Sequence, residues 1–130
     1  MNQPAAKKGD KVVAVDTHIV MVPSPGGPVP TPMPMPFNGI IIGAVDTRVL
    51  IENFPAATKG STAQNVPPHL PAGGPFQTPP KNEASISAGS ATVLINDQPA
   101  ARMGDPAQTC DDVGAPANGT VVAASRVLIG

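Results

Sequence analysis

The chain has 130 residues, of which 18 are proline and 13 are glycine, and only 2% of the residues are aromatic. This content of proline and glycine excludes a bundle of long helices, because proline breaks helix interiors and glycine weakens them. A net charge of −1 offers no basic surface for nucleic acid, and no apolar run is long enough for stable insertion in a membrane.

The N-terminal segment, MNQPAAKKGD, contains no apolar stretch, so we predict no signal peptide and expect synthesis in the cytoplasm. It also contains the first of three copies of one pattern. The copies read PAAKKGD at 4–10, PAATKGS at 55–61 and PAARMGD at 99–105. Such ordered repetition indicates three similar structural units. We predict one domain over residues 1–130, with repeats near 4–54, 55–98 and 99–130 and no extension domain.

Residues 21–36, MVPSPGGPVPTPMPMP, are predicted to be extended or turn, because residues that precede proline avoid the helical region. The motif GGPVPTP at 26–32 matches GGPFQTP at 73–79, and GAP at 114–116 is a shorter version in the third repeat. A proline-rich adaptor that binds an aromatic groove is an alternative, and it would leave residues 21–36 disordered. Recurrence of the motif favours a structural loop.

The tripeptide VLI precedes the second and third PAA copies, and it occurs again at 127–129. Each copy has the composition of a short strand, and two of them run into turn residues, Glu52-Asn53 and Asn96-Asp97. The first PAA copy has no VLI strand before it, and the last VLI strand has no PAA copy after it. Together they make up one unit whose two parts lie at opposite ends of the sequence. The sequence therefore predicts an all-β, pseudo-threefold fold of short β-hairpins with proline-rich loops.

One potential metal ligand lies in each repeat, between the PAA copy and the Gly/Pro loop. His18 and His69 each lie fourteen residues after the proline of their PAA copy, and Cys110 lies eleven residues after its own. A pseudo-threefold arrangement would bring the three side chains together. Two imidazoles and a thiolate suit Zn²⁺, with iron as the lesser candidate. The alternative to a metal site is that the two histidines lie on the surface and that Cys110 serves as a small apolar residue.

A tetrahedral site needs a fourth ligand, and the sequence leaves its identity open. Asp16, Asp111 and Asp112 lie close to the predicted ligands, and a backbone group or water could also serve. A fourth protein ligand is typical of structural zinc, whereas water in this position is typical of catalytic zinc. Because Cys110 is the only cysteine, no internal disulfide can form, and a fold with few large side chains needs a metal or a partner.

The three PAA copies and the VLI strands resemble the PAAR-repeat proteins, and the third copy contains the sequence PAAR at 99–102. The resemblance extends over residues 4–130. It implies a small cone whose triangular base caps a trimeric β-helical spike. A metal, usually zinc, lies near the tip and is held by histidines and a cysteine. The family commonly has three histidines and one cysteine, whereas this chain has two and one. The second copy also departs from the pattern, at Thr58 and Ser61.

The function that this resemblance implies is a non-enzymatic tip on a VgrG-like spike of type VI secretion or a related contractile injection or phage-tail particle. One chain would bind each spike trimer, help membrane puncture and effector delivery, and leave the cell with the particle. Effector proteins are further candidate partners. The predicted spike contacts are Val49, Leu50, Ile51, Val93, Leu94, Ile95, Val127, Leu128 and Ile129. The alternative is a small zinc metalloenzyme with an open fourth position, although the sequence has no HExxH motif.

Overall fold

The computed structural model describes residues 2–112 and 117–130, and the strands within those ranges are numbered in chain order. They are β1 (Gln3–Pro4), β2 (Lys11–Val22), β3 (Val29–Gly43), β4 (Asp46–Ile51), β5 (Phe54–Ala56), β6 (Thr62–Asn65), β7 (Glu83–Ile86), β8 (Leu94–Ile95), β9 (Gln98–Pro99), β10 (Pro106–Gln108), β11 (Gly119–Val122) and β12 (Leu128–Ile129). Within the same ranges, no helix is long and apolar enough to cross a membrane. The predicted all-β class is confirmed.

Six of the strands close into a small barrel, in the order β10-β11-β2-β3-β6-β7. Each repeat contributes one antiparallel hairpin, and these hairpins are β2–β3, β6–β7 and β10–β11. Each hairpin begins just after a PAA copy, so the barrel has the pseudo-threefold arrangement that the repeats predict. Closure gives every barrel strand two neighbours and removes the open edges that a flat sheet would have.

Three two-stranded sheets form the base of the molecule. In each of them a VLI strand pairs with the residues beside a PAA copy: β4 with β5, β8 with β9, and β12 with β1. The first two hairpins turn through residue pairs with left-handed backbone, Glu52-Asn53 and Asn96-Asp97. Such turns match the twist of paired strands. In the third sheet the N-terminal strand β1 pairs with the C-terminal strand β12, so the first PAA copy and the last VLI strand lie side by side.

The three PAA copies meet in a closed ring of backbone hydrogen bonds. Ala6 N donates to Ala101 O at 2.9 Å, Ala101 N donates to Ala57 O at 3.0 Å, and Ala57 N donates to Ala6 O at 3.0 Å. All three alanines are buried. Only small side chains let three backbones approach one another so closely, which explains why each copy carries alanine at this position.

The core consists of two clusters, one in the barrel and one at the base. The barrel cluster contains six side chains that the repeats contribute in sets of three: Val12, Ala63 and Ala107, and Ile41, Ile86 and Val121. The base cluster is built in the same way: Ile51, Ile95 and Ile129, and Ala5, Ala56 and Ala100. Among the described residues, Phe37 is the largest fully buried side chain. Gly39 leaves room for it, because a Cβ at Gly39 would lie 2.6 Å from the ring of Phe37.

The β2–β3 hairpin continues beyond the barrel. Its two strands pair from Lys11↔Ile40 to Val22↔Val29, whereas β11 covers only residues 11–13 of β2 and β6 reaches only residues 39–43 of β3. We call the remainder, residues 14–38, the tip hairpin. At about 3.3 Å per residue its strands extend roughly 30 Å past the barrel. The fold therefore narrows from three hairpins in the barrel to one at the tip, as the predicted cone requires.

Residues 21–36 lie within the tip hairpin, so the prediction of extended and turn structure is confirmed. Every residue of β3 from Val29 to Pro36 pairs in register with β2. This pairing contradicts the disorder that a proline-rich adaptor would require.

Prolines alternate along one edge of the tip hairpin, and all of them are exposed. They are Pro30, Pro32, Pro34 and Pro36. Asn38, the next residue in the same alternation, donates its N–H away from β2, to Oδ1 of Asn65 at 2.8 Å. The prolines therefore face the edge of β3 that β2 does not cover. Because proline has no N–H, this edge offers no donors to another strand.

The two GGPxxTP motifs occupy different places around the tip hairpin. The first begins in the turn between β2 and β3, where Gly27 has a φ of 111°. The second lies along β2, and a Cβ at Gly74 would lie 1.9 Å from the carbonyl oxygen of Met21. Only glycine allows the two backbones to approach this closely. The shorter version at 114–116 lies outside the described residues.

Candidate metal centre

Four side chains that can bind a metal meet where the tip hairpin leaves the barrel. Asp16 and His18 lie two residues apart on β2, so the alternation of a strand places both on one face. His69 follows the end of β6, and Cys110 follows the end of β10. Asp16 and His18 are fully buried, His69 is 8% exposed, and Cys110 is partly buried. The structure thus brings together the three predicted ligands and Asp16, one of the predicted candidates for the fourth position.

The donor atoms lie close enough together to share one metal ion. Oδ2 of Asp16 lies 2.9 Å from His69 Nε2, 3.8 Å from His18 Nε2 and 3.3 Å from Cys110 Sγ. Cys110 Sγ lies 3.7 Å from His18 Nε2, and all four ligand atoms lie within 4.8 Å of one another. A tetrahedron with zinc–ligand bonds of 2.0–2.3 Å has edges of about 3.3–3.8 Å. Three of the four quoted distances lie in this range, the Asp16–His69 distance is shorter, and the donor types suit zinc.

Asp16 is held as a carboxylate by several donors. Oδ1 accepts hydrogen bonds from the hydroxyl of Thr109 and from Nδ2 of Asn118, the latter at 3.1 Å. Burial acts to raise the pKa of Asp16, but the hydrogen bonds from Thr109, His69, Cys110 and Asn118 outweigh it, so the pKa lies below its usual value. The carboxylate is thus ionised at neutral pH, in the form that binds a cation.

The pKa of the Cys110 thiol is shifted in the opposite direction to that of Asp16. Burial, followed by the negative charge of Asp16, raises the pKa of Cys110 to about 11. The sulfur is therefore protonated at neutral pH in the metal-free protein. A divalent cation among the four donors would compensate the charge of the carboxylate and favour the thiolate, so metal binding would release a proton.

The ring of His18 is oriented by a second carboxylate. Nδ1 of His18 lies 3.0 Å from Oδ1 of Asp112, and Oδ2 of Asp112 accepts the N–H of Ile19 at 2.9 Å. The N–H of Asp112 in turn donates to the carbonyl of Thr17 at 3.0 Å. With its proton on Nδ1, His18 presents the lone pair of Nε2 to the other donors, which is the arrangement of many metal-bound histidines.

His69 is fixed through its backbone and its ring. Its N–H donates to Oδ1 of Asn82 at 2.8 Å. The centroid of its ring lies 4.8 Å from that of His18 and 6.1 Å from that of Phe37. The core side chain Phe37 therefore supports the site from the barrel side.

The three candidates for the fourth ligand have different places in the structure. Asp16 lies among the donors, whereas Asp112 contacts the far nitrogen of His18. Asp111 accepts the backbone N–H of Thr17 at 2.5 Å. The signal that favours Asp16 is present in the sequence, because residues two apart on a strand share a face.

The predicted spike contacts divide into an inner and an outer set. Ile51, Ile95 and Ile129 are buried in the base cluster, so they support the base from within. The leucines before them, Leu50, Leu94 and Leu128, are exposed by 54%, 60% and 57%. The valines lie between these extremes: Val49 and Val127 are exposed by 37% and 39%, and Val93 is half-buried against the base cluster.

Several residues that build the site were not found from the sequence. Thr109 and Asn118 hold Asp16 and also bind each other, since Thr109 N donates to Oδ1 of Asn118 and Thr109 Oγ1 accepts a hydrogen bond from Nδ2 of Asn118 at 2.7 Å. Asn82 contacts the backbone of His69. Each is a single polar residue outside the repeated motifs, so no spacing pattern singles it out.

A comparison with protein families agrees with this architecture. A family model described as the PAAR motif matches residues 21–115, well over half of the chain. The match includes His69, Cys110 and the sequence PAAR at 99–102. A search of curated proteins finds no significant match. The repeats, the fold and the family model lead to one conclusion: this chain belongs to the PAAR motif family.

Proposed function

We propose that this protein is the tip of a trimeric, VgrG-like β-helical spike in a type VI secretion system or a related contractile injection or phage-tail particle. Membership of the PAAR motif family supports a structural role at the end of a spike. In this role one chain caps one spike trimer, helps the particle to pierce a membrane and leaves the producing cell with it. Effector proteins are candidate cargo.

The observation that carries the proposal is the pseudo-threefold surface of the base. Leu50, Leu94 and Leu128 follow one another around the base hairpins and have almost equal exposure, between 54% and 60%. A symmetric trimer presents the same surface three times at its end. A single chain with three equivalent apolar contacts can therefore meet all three subunits at once.

The metal centre supports the narrow end of the same molecule. Zinc is the proposed ion, and it would tie the tip hairpin, through Asp16 and His18, to loops of the second and third repeats, through His69 and Cys110. Binding free energy at such a site adds to folding free energy. A rigid, cross-linked tip suits a part that meets the membrane first.

The donor set favours a structural site over a catalytic one. With Asp16, the chain supplies four protein donors, which fill the tetrahedral positions of zinc. Catalytic zinc keeps one of these positions for water or substrate. We therefore propose a non-enzymatic role in preference to a metalloenzyme.

The decisive experiment mixes the protein with candidate trimeric spike proteins and measures mass and zinc content by light scattering and elemental analysis. We expect one chain and about one zinc ion per spike trimer. Changing Leu50, Leu94 and Leu128 together to aspartate is expected to weaken the complex at least hundredfold, or about 2.7 kcal/mol.

A matched control uses an exposed apolar residue on the tip hairpin. Val15 is 64% exposed and lies on β2, away from the base hairpins. Val15→Asp introduces the same charge and is expected to leave spike binding unchanged. Equal binding by the triple leucine variant, or a stoichiometry of three chains per trimer, would contradict the proposal.

A further inference from the structure

We infer that Asn82 is a positioning residue that holds two of the metal ligands, His69 and Cys110, in place. The inference rests on the metal site proposed above. Asn82 lies immediately before β7, so it belongs to the second repeat, as His69 does, whereas Cys110 belongs to the third. One residue thus connects the ligands of two repeats.

The side chain of Asn82 anchors His69. Its Oδ1 accepts the N–H of His69 at 2.8 Å and the Nδ2–H of Asn65 at 3.1 Å. The backbone carbonyl of Asn82 also accepts the N–H of Asn65, at 2.8 Å. Asn65 is buried at the end of β6, so Asn82 ties the loop that carries His69 to the barrel. His69 itself lies outside the strands, where no ladder of backbone hydrogen bonds fixes its position.

The backbone of Asn82 turns toward Cys110. Asn82 has a φ of 55°, in the left-handed region that asparagine adopts more readily than most residues. In this conformation the N–H groups of Asn82 and Glu83 interact with the sulfur of Cys110. These two backbone hydrogen bonds hold the sulfur beside the segment that carries Asn82.

The two contributions of Asn82 can be separated by substitution. Asn82→Gly keeps the left-handed backbone and its N–H, because glycine adopts positive φ freely, but it removes the acceptor for His69. Asn82→Asp keeps an acceptor oxygen at the same place. If the side chain positions His69, the glycine variant loses metal affinity and the aspartate variant retains most of it.

The test measures zinc affinity by competition with a chromophoric chelator for the wild type and both variants. We expect the wild type to bind one zinc ion, Asn82→Gly to bind roughly 10–100-fold more weakly, and Asn82→Asp to recover most of the loss. At saturating Co²⁺, we also expect the sulfur-to-cobalt charge-transfer band of Asn82→Gly to be shifted or weakened. A loss of fold stability alone would not change this band in a fully loaded protein.

Ser90→Ala is the control for general destabilisation. Ser90 is buried, and its Oγ accepts the N–H groups of Thr92 and Val93 at 3.1 and 2.9 Å, far along the chain from the metal ligands. Its loss is expected to lower stability and leave zinc affinity unchanged. If Asn82→Gly binds zinc as tightly as the wild type, Asn82 does not position the ligands, although the metal site itself is retained. Absence of zinc binding by the wild type would overturn both.

Discussion

Nδ1 of His18 lies 3.0 Å from Oδ1 of Asp112, although the two residues come from the first and third repeats. The same carboxylate accepts the N–H of Ile19 through its other oxygen, so it is fixed on the strand that carries the ligand. Asp112 therefore determines which nitrogen of His18 faces the metal centre. Its role is to orient a ligand, in contrast to that of Asp16, whose carboxylate lies among the donors.

Replacing Asp112 with asparagine tests this orientation. Asp112→Asn removes the negative charge beside Nδ1, and we expect zinc affinity to fall roughly 10–100-fold, measured by chelator competition. Asp97→Asn, at an exposed turn of the base, removes the same charge and serves as the control. Equal affinities of Asp112→Asn and the wild type would show that His18 needs no such partner.

Removing the metal is expected to destabilise the whole protein. The four donors belong to all three repeats, so a bound ion links elements that are distant in sequence. At free zinc one hundred times the dissociation constant, we expect about 2.7 kcal/mol of added stability, measured by urea unfolding with zinc and with chelator. A variant with both His18→Ala and His69→Ala is expected to show no response to zinc. A similar gain in that variant would indicate binding elsewhere.

The metal-free protein is expected to lose stability at high pH because of Cys110. Its pKa is raised from 9.0 to about 11 by burial and then by the charge of Asp16. Between these values the unfolded chain has lost the proton and the folded chain keeps it, so the stabilisation present below pH 9 is lost as the pH rises through about 11. We expect a steeper fall in the free energy of unfolding for the wild type than for Cys110→Ala. Parallel profiles would contradict the shift.

The proline row on β3 is expected to keep the isolated protein monomeric. Pro32→Thr with Pro34→Thr would restore two N–H donors on an exposed edge, and such edges pair with other strands. We expect concentration-dependent association in sedimentation velocity. Val15→Thr, on the exposed face of β2, adds the same residue type without adding an edge donor, and is expected to remain monomeric. A monomeric double variant would show that the edge is protected by other means.

The sequence predicted the elements whose signals are local or repeated. The VLI and PAA tripeptides predict hairpins because strand and turn residues follow each other directly, as at Asn96-Asp97. The equal offsets of His18 and His69 predicted a shared site because a pseudo-threefold axis superposes equivalent positions. These patterns predicted the strands of the base and the grouping of His18, His69 and Cys110, whose binding of a metal stays a prediction.

The barrel and the surroundings of the site could not be predicted in this way. Closure of the barrel depends on small inward side chains such as Ala63 and Ala107, which have no strong strand preference of their own. Asn82 and Asn118 act through contacts between distant segments, and an isolated asparagine in a loop carries no signal of its partner. The alternation that places Asp16 beside His18 is local, but it applies only because β2 extends through both residues.

The ring of hydrogen bonds among Ala6, Ala57 and Ala101 fixes the number of repeats. An open array can gain or lose a unit at either end, because each unit contacts only its neighbours. In the ring, every copy donates to one neighbour and accepts from the other, so loss of one leaves a buried donor and a buried acceptor unpaired. We therefore expect the three units to fold and unfold together. A variant with a duplicated or deleted repeat is expected not to fold. The number of repeats in this fold is therefore determined by the closed ring of hydrogen bonds.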